Sequence, residues 1–481
     1  MPTKPKIVTL TNSSVDVLNA IRNSATTNYR NYVPIATNDP ESIREIGAVI
    51  MDMPELQNEF LNALVNRIGR VILSSRLYSN PWAFFKRGLL DYGEVVEEIF
   101  VNIAKPFQFD PEIAEGEVFK REIPDVKSAF HVMNYQKFYK ATVSESQLRQ
   151  AFLSIDGVTE LITRIIDSLY TGANYDEFQT MKYMLAKRIL NGQLYPITVP
   201  TATAENAKTI VSTVKSVSNQ LEFLSNDYNI AGVYNASDKS RQYIIIDSRF
   251  DAIMDVEVLA SAFNMSKAEF MGRRVLIDGF GNLDTVRLAE LFKSDPTYTE
   301  ISADEMTALS QIPAILVDED FFMVFDNLNY FRDIENSQGL YWNYFYHCWK
   351  TFSISPYAPA ISFVTGTPTV TAITVSPSVA TINAGQSLAF TANVTTEYFA
   401  PQTVNWSVDN EHATINASGV LTVDSTASGE IVVTATSTFS PSIKKEVTVT
   451  VNPSLTGMAI NVAQDGENLT GEVGKATEVE D

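Results

Sequence analysis

The sequence predicts an α+β body over residues 1–366 that carries a small all-β sandwich at its C-terminal side. Three observations predict it. The texture of the chain changes near Thr367: long helix-like and strand-like stretches alternate before it. From Thr369 to Val451 short alternating strands follow one another, punctuated by Gly, Pro, Asn and Ser. With 481 residues, 45% hydrophobic and 19% charged, the chain is long enough for more than one core and too apolar for wholesale disorder.

In order along the chain, a short helix is expected at Val15–Asn23, an extended stretch at Asn31–Thr37, and one helix over Ile46–Gly69, where Phe60, Leu64 and Ile68 recur at helical spacing. From Arg70 to Val143 the pattern turns to strands: Arg70–Tyr78 and Gly93–Ile103 flank the Asn80-Pro81 break, and a second pair lies at Glu117–Ile123 and Ala129–Val143. So polar a stretch, poor in Leu, is either a solvated hairpin or an arm that is covered only by a neighbouring copy.

Ser144-x-x-Gln147 has the spacing of a capping box and opens the clearest helix, with Leu148, Phe152, Ile155, Ile165 and Leu169 on one stripe. A second helix is expected from near Asp176, with Phe178, Met181, Leu185 and Ile189 inward, ending at Gly192 placed as a C′ glycine. Helix and strand then alternate: a helix at Thr203–Leu224, a strand at Gln242–Asp247, a helix at Val256–Met271 and a strand at Arg274–Ile277. Ala314–Val317 and Phe321–Phe325 read as a hairpin around Asp318-Glu319-Asp320. The aromatic run Leu340–Phe352 reads as a strand, with Ala360–Val364 returning beside it. In the sandwich about seven strands are expected, with Leu388/Phe390/Ala392/Val394, Val404/Trp406/Val408, Ile431/Val433/Ala435 and Val447/Val449/Val451 inward. Their spacing is that of an immunoglobulin-like sandwich, with Trp406 in its core.

Composition narrows function. The net charge is −21, of which the sandwich (369–452) carries −4 and the tail (453–481) −5. Such a surface repels nucleic-acid backbones, although it can enclose DNA without gripping it. One cysteine, Cys348, leaves no disulfide framework and points to a reduced, intracellular origin. The opening MPTKPKIVTLTNSS has no apolar h-region, and no stretch is apolar enough to span a membrane.

Candidates for chemistry are few. His131, His347 and His412 fall in three segments without metal-ligand spacing, and His347 and Cys348, neighbours on a strand, point to opposite faces. Gly279-Phe280-Gly281 lacks the third glycine of a dinucleotide site, and Gly474-Lys475 lacks the rest of a phosphate loop. Asp318-Glu319-Asp320 is a cation candidate that reads better as a solvated turn. Glu94, Glu97 and Glu98 would need a cleft to act as acid and base. No catalytic, cofactor-binding or metal residue is expected, and no cofactor: the chain reads as no enzyme.

Seven ordered blocks carry a family resemblance: SIREIGAVI (42–50), LVNRIG (64–69), FKREIPDVKSAFH (119–131), MDVEVLASAFNM (254–265), VLIDGF (275–280), AILVDEDFFMVFDNL (314–328) and QGLYWNYFYHCW (338–349). In this order they resemble the major capsid proteins of small short-tailed phages of the phi-twenty-nine type. AITVSPSVATINAGQSLAFTANV and VNWSV…ATINASGVLTV resemble a bacterial immunoglobulin-like group-two domain placed after the capsid core. The loops around 225–240 and 281–312 and the acidic tail depart from the family pattern.

The resemblance implies the tailed-phage capsid fold. Its parts would be an N-terminal arm (1–69), an extended β-hairpin loop (70–143), spine helices of a peripheral domain (144–194) and an axial domain (195–340). Return strands of the peripheral domain (341–366) and the immunoglobulin-like domain (367–452) would complete it; the tail (453–481), by its composition, reads as acidic and flexible. It implies a shell subunit that assembles with itself into pentamers and hexamers and encloses double-stranded DNA without binding it specifically. The implied partners are a scaffolding protein, a portal or connector and head fibres, with no membrane. The implied place is the virion, after assembly in the host bacterial cytoplasm. Crosslinking between copies through a Lys–Asn bond, used by some tailed-phage shells, is not expected here. The rival reading is a bacterial or phage surface adhesin or fibre that uses the sandwich; it would need a secretion signal and tandem repeats.

Overall fold

The computed structural model describes residues 14–71, 78–91, 94–107, 110, 121–153, 157–256 and 273–453. Four helices open the chain: α1 (Ser14–Ser24), α2 (Thr27–Tyr32), α3 (Pro40–Asp52) and α4 (Pro54–Val71). The single helix expected over Ile46–Gly69 is two, because Pro54 forces Met53 out of the helical region to φ −120°, ψ 107°. The extended stretch expected from Asn31 begins only after Tyr32. Thr26 caps α2 by accepting from the Tyr29 amide, and its hydroxyl donates to Glu59 at 2.9 Å. Val17, Ile21, Ile43, Ile46, Ile50 and Phe60 from these helices bury against Leu148, Phe152, Leu169, Trp342 and Tyr344 in one apolar cluster.

The Ser144 capping box forms as expected and starts α5 (Glu145–Ala151). The next helix, α6 (Gly157–Leu190), is 34 residues long and runs without a break through Gly172, where a new helix was expected after a turn. The packing explains why. Gly172 lies against the Tyr139 ring, and helix on both sides keeps Phe178, Met181, Leu185 and Ile189 on the core stripe. Gly192, at φ +61°, ends the helix with the amides of Gly192 and Gln193 bonded back to Ile189 and Arg188.

Two sheets flank this helix. In one, β1 (Lys86–Leu89), β9 (Phe322–Asn336), β10 (Tyr341–Ile354) and β4 (Tyr135–Ser144) lie in the order β1-β9-β10-β4. In the other the order is β5-β11-β8-β6-β7, built from β5 (Tyr195–Thr198), β6 (Gln242–Asp247), β7 (Arg273–Ile277), β8 (Ala314–Asp318) and β11 (Ala360–Val364). Helices α7 (Ala207–Gln220) and α8 (Ser248–Met254) pack on the second sheet. The helix expected at Val256–Met271 falls outside the described residues apart from Val256.

Two expected pairings are corrected. β8 and β9 do not form a hairpin, because the acidic turn between them carries the chain from one sheet into the other. β11 does not return beside β10 but pairs with β5 and β8, where all five of its residues are buried. Instead, β9 and β10 form a long antiparallel ribbon closed by a turn with Leu340 at φ 51°. Between the sheets and α6, Trp82 is fully buried, its ring against Phe85, Phe178 and Phe322 and its indole N–H donating to the Leu276 carbonyl.

The sandwich holds β12 (Thr369–Ser376), β13 (Ala380–Asn383), β14 (Ser387–Ala389), β15 (Thr391–Glu397), β16 (Val404–Val408), β17 (Ala413–Ile415), β18 (Val420–Val423), β19 (Gly429–Ser437) and β20 (Lys444–Asn452), in small sheets that include β13-β20-β19-β16 and β14-β18-β17. Phe390, Ile431, Val433, Ala435, Val447 and Val449 form its core, whereas Trp406 is only half-buried beside Phe390. The sandwich is seated on the body. Phe399 packs against the central cluster, and Gln402 donates to the Leu190 carbonyl at the end of α6.

Candidate assembly surface

A two-stranded ribbon, β2 (Val96–Val101) with β3 (Val126–His131), has two unlike faces. Period-two alternation assigns Val96, Glu98, Phe100, Lys127, Ala129 and His131 to one face and Glu97, Ile99, Val101, Val126, Ser128 and Phe130 to the other. The first face is docked on the body. His131 is buried, with Nδ1 2.7 Å from the Ser353 hydroxyl and Nε2 3.2 Å from Glu98. Ser355 donates to the other Glu98 oxygen at 2.7 Å, Lys127 donates to the Ala231 carbonyl at 2.6 Å, and Phe100 stacks on Tyr357.

The second face is bare. Ile99 is 59% exposed, Val101 58%, Val126 53% and Phe130 61%. Ile123, just before the hairpin's second strand in the chain, is also exposed. A row of β-branched and aromatic side chains in water loses about 25 cal/mol for every Å² of apolar surface that a partner could cover.

Ser353, His131 and Glu98 have the connectivity of a nucleophile, base and orienting acid. However, the imidazole is buried and Glu98 is shared with Ser355, so the group serves to dock the hairpin on the body. Of the other paired-carboxylate candidates, Glu94 accepts from the Asp91 amide and Glu97 faces solvent. His347 lies among the rings of Phe138 and Phe345, and His412 is in an exposed turn. Cys348 is buried on the opposite face from His347, and burial pushes its thiol up to about 12.

The acidic triplet is matched by arginines. Asp318 is buried and meets Arg241 at 3.2 Å, Asp320 pairs with Arg87 and Arg241, and Glu319 meets Arg273 at 3.5 Å. Among the described residues no group of His, Cys, Asp and Glu is arranged to hold a metal. Gly279-Phe280-Gly281 serves packing: Gly281 lets the backbone approach Met306, and Phe280 is buried. Gly474-Lys475 lies outside the described residues.

Sequence reasoning missed a buried ionic cluster that ties four elements together. Glu177 on α6 pairs with Lys350 on β10 and with Lys86 on β1 at 3.2 Å. Asp326 on β9 meets Lys86 at 2.6 Å and Lys350 at 3.1 Å, and Asn80 donates to Glu177 at 2.6 Å. These residues are too far apart in sequence for any spacing to show the cluster.

Comparison with known proteins decides the family. The model of the Phi29-like phage major capsid protein matches residues 18–364. The chain belongs to that family. A bacterial Ig-like domain (group 2) follows at 369–452. The chain is 37% identical over 428 residues to the major capsid protein of Bacillus phage B103, covering 87% of this chain and 89% of that protein. To the major capsid protein of Bacillus phage PZA it is 34% identical over 427 residues, with the same coverage. Among solved structures, the capsid of Staphylococcus phage Andhra covers 61% of this chain and 86% of its own, at 15% identity and a TM-score of 0.47. The fold class is that of a tailed-phage capsid protein with an appended immunoglobulin-like domain, and these relatives favour the capsid reading over the adhesin one.

Proposed function

We propose that copies of this chain assemble into pentamers and hexamers that close into the head shell of a tailed phage around double-stranded DNA. The observation that carries this reading is the bare apolar face of the β2–β3 hairpin in a chain of a capsid family. One copy docks one face of the hairpin on itself and leaves Ile99, Val101 and Phe130 for another copy. The interface would draw its strength from repetition, since each contact is made many times around a closed shell. On this reading the hairpin belongs to the extended loop (70–143) that crosses a neighbour, and α6 is the spine (144–194) of a peripheral domain completed by 341–366. The sheet built on β6 and β8 belongs to an axial domain (195–340) that meets its copies at the symmetry axes, with 1–69 as the arm.

The immunoglobulin-like domain (367–452) would sit on the outer surface near subunit boundaries, followed by the acidic tail (453–481). A net charge of −21 keeps the enclosed genome from adhering during packaging. Assembly would take place in the host bacterial cytoplasm with a scaffolding protein, and the finished head would receive a portal and head fibres. The role is mechanical, without catalysis or cofactor. Co-expression with the phage's scaffolding protein, followed by sedimentation, tests it. Fast-sedimenting regular particles are expected, and slow-sedimenting monomers alone would overturn the reading.

A further inference from the structure

A cleft of about 470 Å³ opens where the sandwich meets the body, within the ~300–1,000 Å³ range of small-ligand sites. The body supplies the end of α6, the start of β5 and the loop around Tyr228; the sandwich supplies Pro401, Thr403, Thr438 and Phe439. Three rings converge there. Tyr195 meets Tyr228 edge-on at 5.3 Å and Phe439 at 6.3 Å. Asn226 and Asp227, both exposed, line the same cleft. The Asn226 amide and the Tyr195 hydroxyl find no hydrogen-bond partner among the described residues.

The wall is set in advance. Asn229 clamps its own loop, donating to the Val233 carbonyl at 2.6 Å and accepting from the Val233 amide at 2.9 Å. The Tyr228 carbonyl accepts from Ala360 at 2.8 Å, which fixes the loop to β11.

We infer that this cleft binds a neutral saccharide. A sugar presents apolar C–H faces that lie on aromatic rings and hydroxyls that bond to amide, carboxylate and phenol groups, and the cleft offers both kinds of surface side by side. Other ligand classes fit poorly. No Lys, Arg or His lines the cleft to hold a phosphate or carboxylate, and Asp227 alone does not make a cation site. A purely apolar ligand would leave the polar groups of Asn226 and Asp227 in the cleft unused. Each chain builds the whole cleft, so the inference does not depend on shell assembly.

Saturation-transfer NMR on the full-length protein tests it, with glucose, galactose, N-acetylglucosamine, N-acetylgalactosamine and rhamnose as probes. Transfer to the ring protons of at least one sugar is expected, with affinity weakened roughly tenfold in Tyr228→Ala or Asn226→Ala. Asn226 is exposed, so its variant folds even if the loss of the Tyr228 ring disturbs the loop. Transfer to none of the five sugars, or transfer unchanged in both variants, overturns the proposal.

Discussion

At the scale of single residues, the ionic cluster under the first sheet is the most demanding feature of the body. Glu177 and Lys350 are buried, so removing one partner strands the other charge in a low dielectric. Glu177→Gln is expected to destabilise the protein by about 3–5 kcal/mol in urea unfolding, far beyond the ±0.5 kcal/mol usual for a surface change. The cluster also sets a pH window. Burial pushes the Asp326 carboxyl up, but Lys350 and Lys86 together hold it below the usual carboxylate range. Burial pushes the Lys350 ammonium down, and Glu177 and Asp326 outweigh that and hold it above the usual lysine range. A depressed acid stabilises above its unfolded value of about 3.9 and loses that as pH falls. A raised lysine stabilises below about 10.4 and loses that as pH rises. The melting temperature should therefore be level between about pH 4 and pH 10 with respect to this cluster, with a shallower acid limb in Asp326→Asn. Cys348, at about 12, holds almost no thiolate at pH 8, so native protein should resist iodoacetamide and react once unfolded.

At the scale of elements, the joint between α6 and the sandwich depends on one glycine. Gly192 has φ +61°, and a Cβ there would run into the Ala400 carbonyl. Gly192→Ala is expected to cost more than about 1 kcal/mol and to speed hydrogen exchange in the 398–403 turn. Much of this level was legible in the sequence: the Ser144 capping box, the Gly192 terminator and the apolar stripes of Leu148 and Phe152 and of Phe178, Met181 and Leu185 are all local signals. What sequence missed was non-local. Nothing near Asp318 says that β8 and β9 part into different sheets, because the arginines that hold the turn, Arg87 and Arg241, come from distant segments. Nor does spacing reveal the clasp of His131 on Ser353, a partner 222 residues away. Gly172 misled in the opposite direction, since tertiary packing carries the helix across it.

At the scale of the whole molecule, the hairpin is the element a single chain leaves unfinished. Its docked face holds it in place, and its bare face offers apolar surface in the form in which sheets and arms associate. Ile99→Ser with Phe130→Ser changes only exposed side chains, so the melting temperature of the isolated chain should stay within a few degrees while particle yield on co-expression with scaffolding protein falls sharply. The family match from residue 18 to 364 makes the chain a member of a capsid family, and the bare hairpin face suits a building block of that kind. The most direct measurement is a cryo-electron microscopy reconstruction of particles assembled from this chain. A closed shell in which Ile99, Val101 and Phe130 of each copy are covered by a neighbouring copy is the predicted result. Particles in which that face remains bare to solvent, or no closed particles at all, would contradict the account.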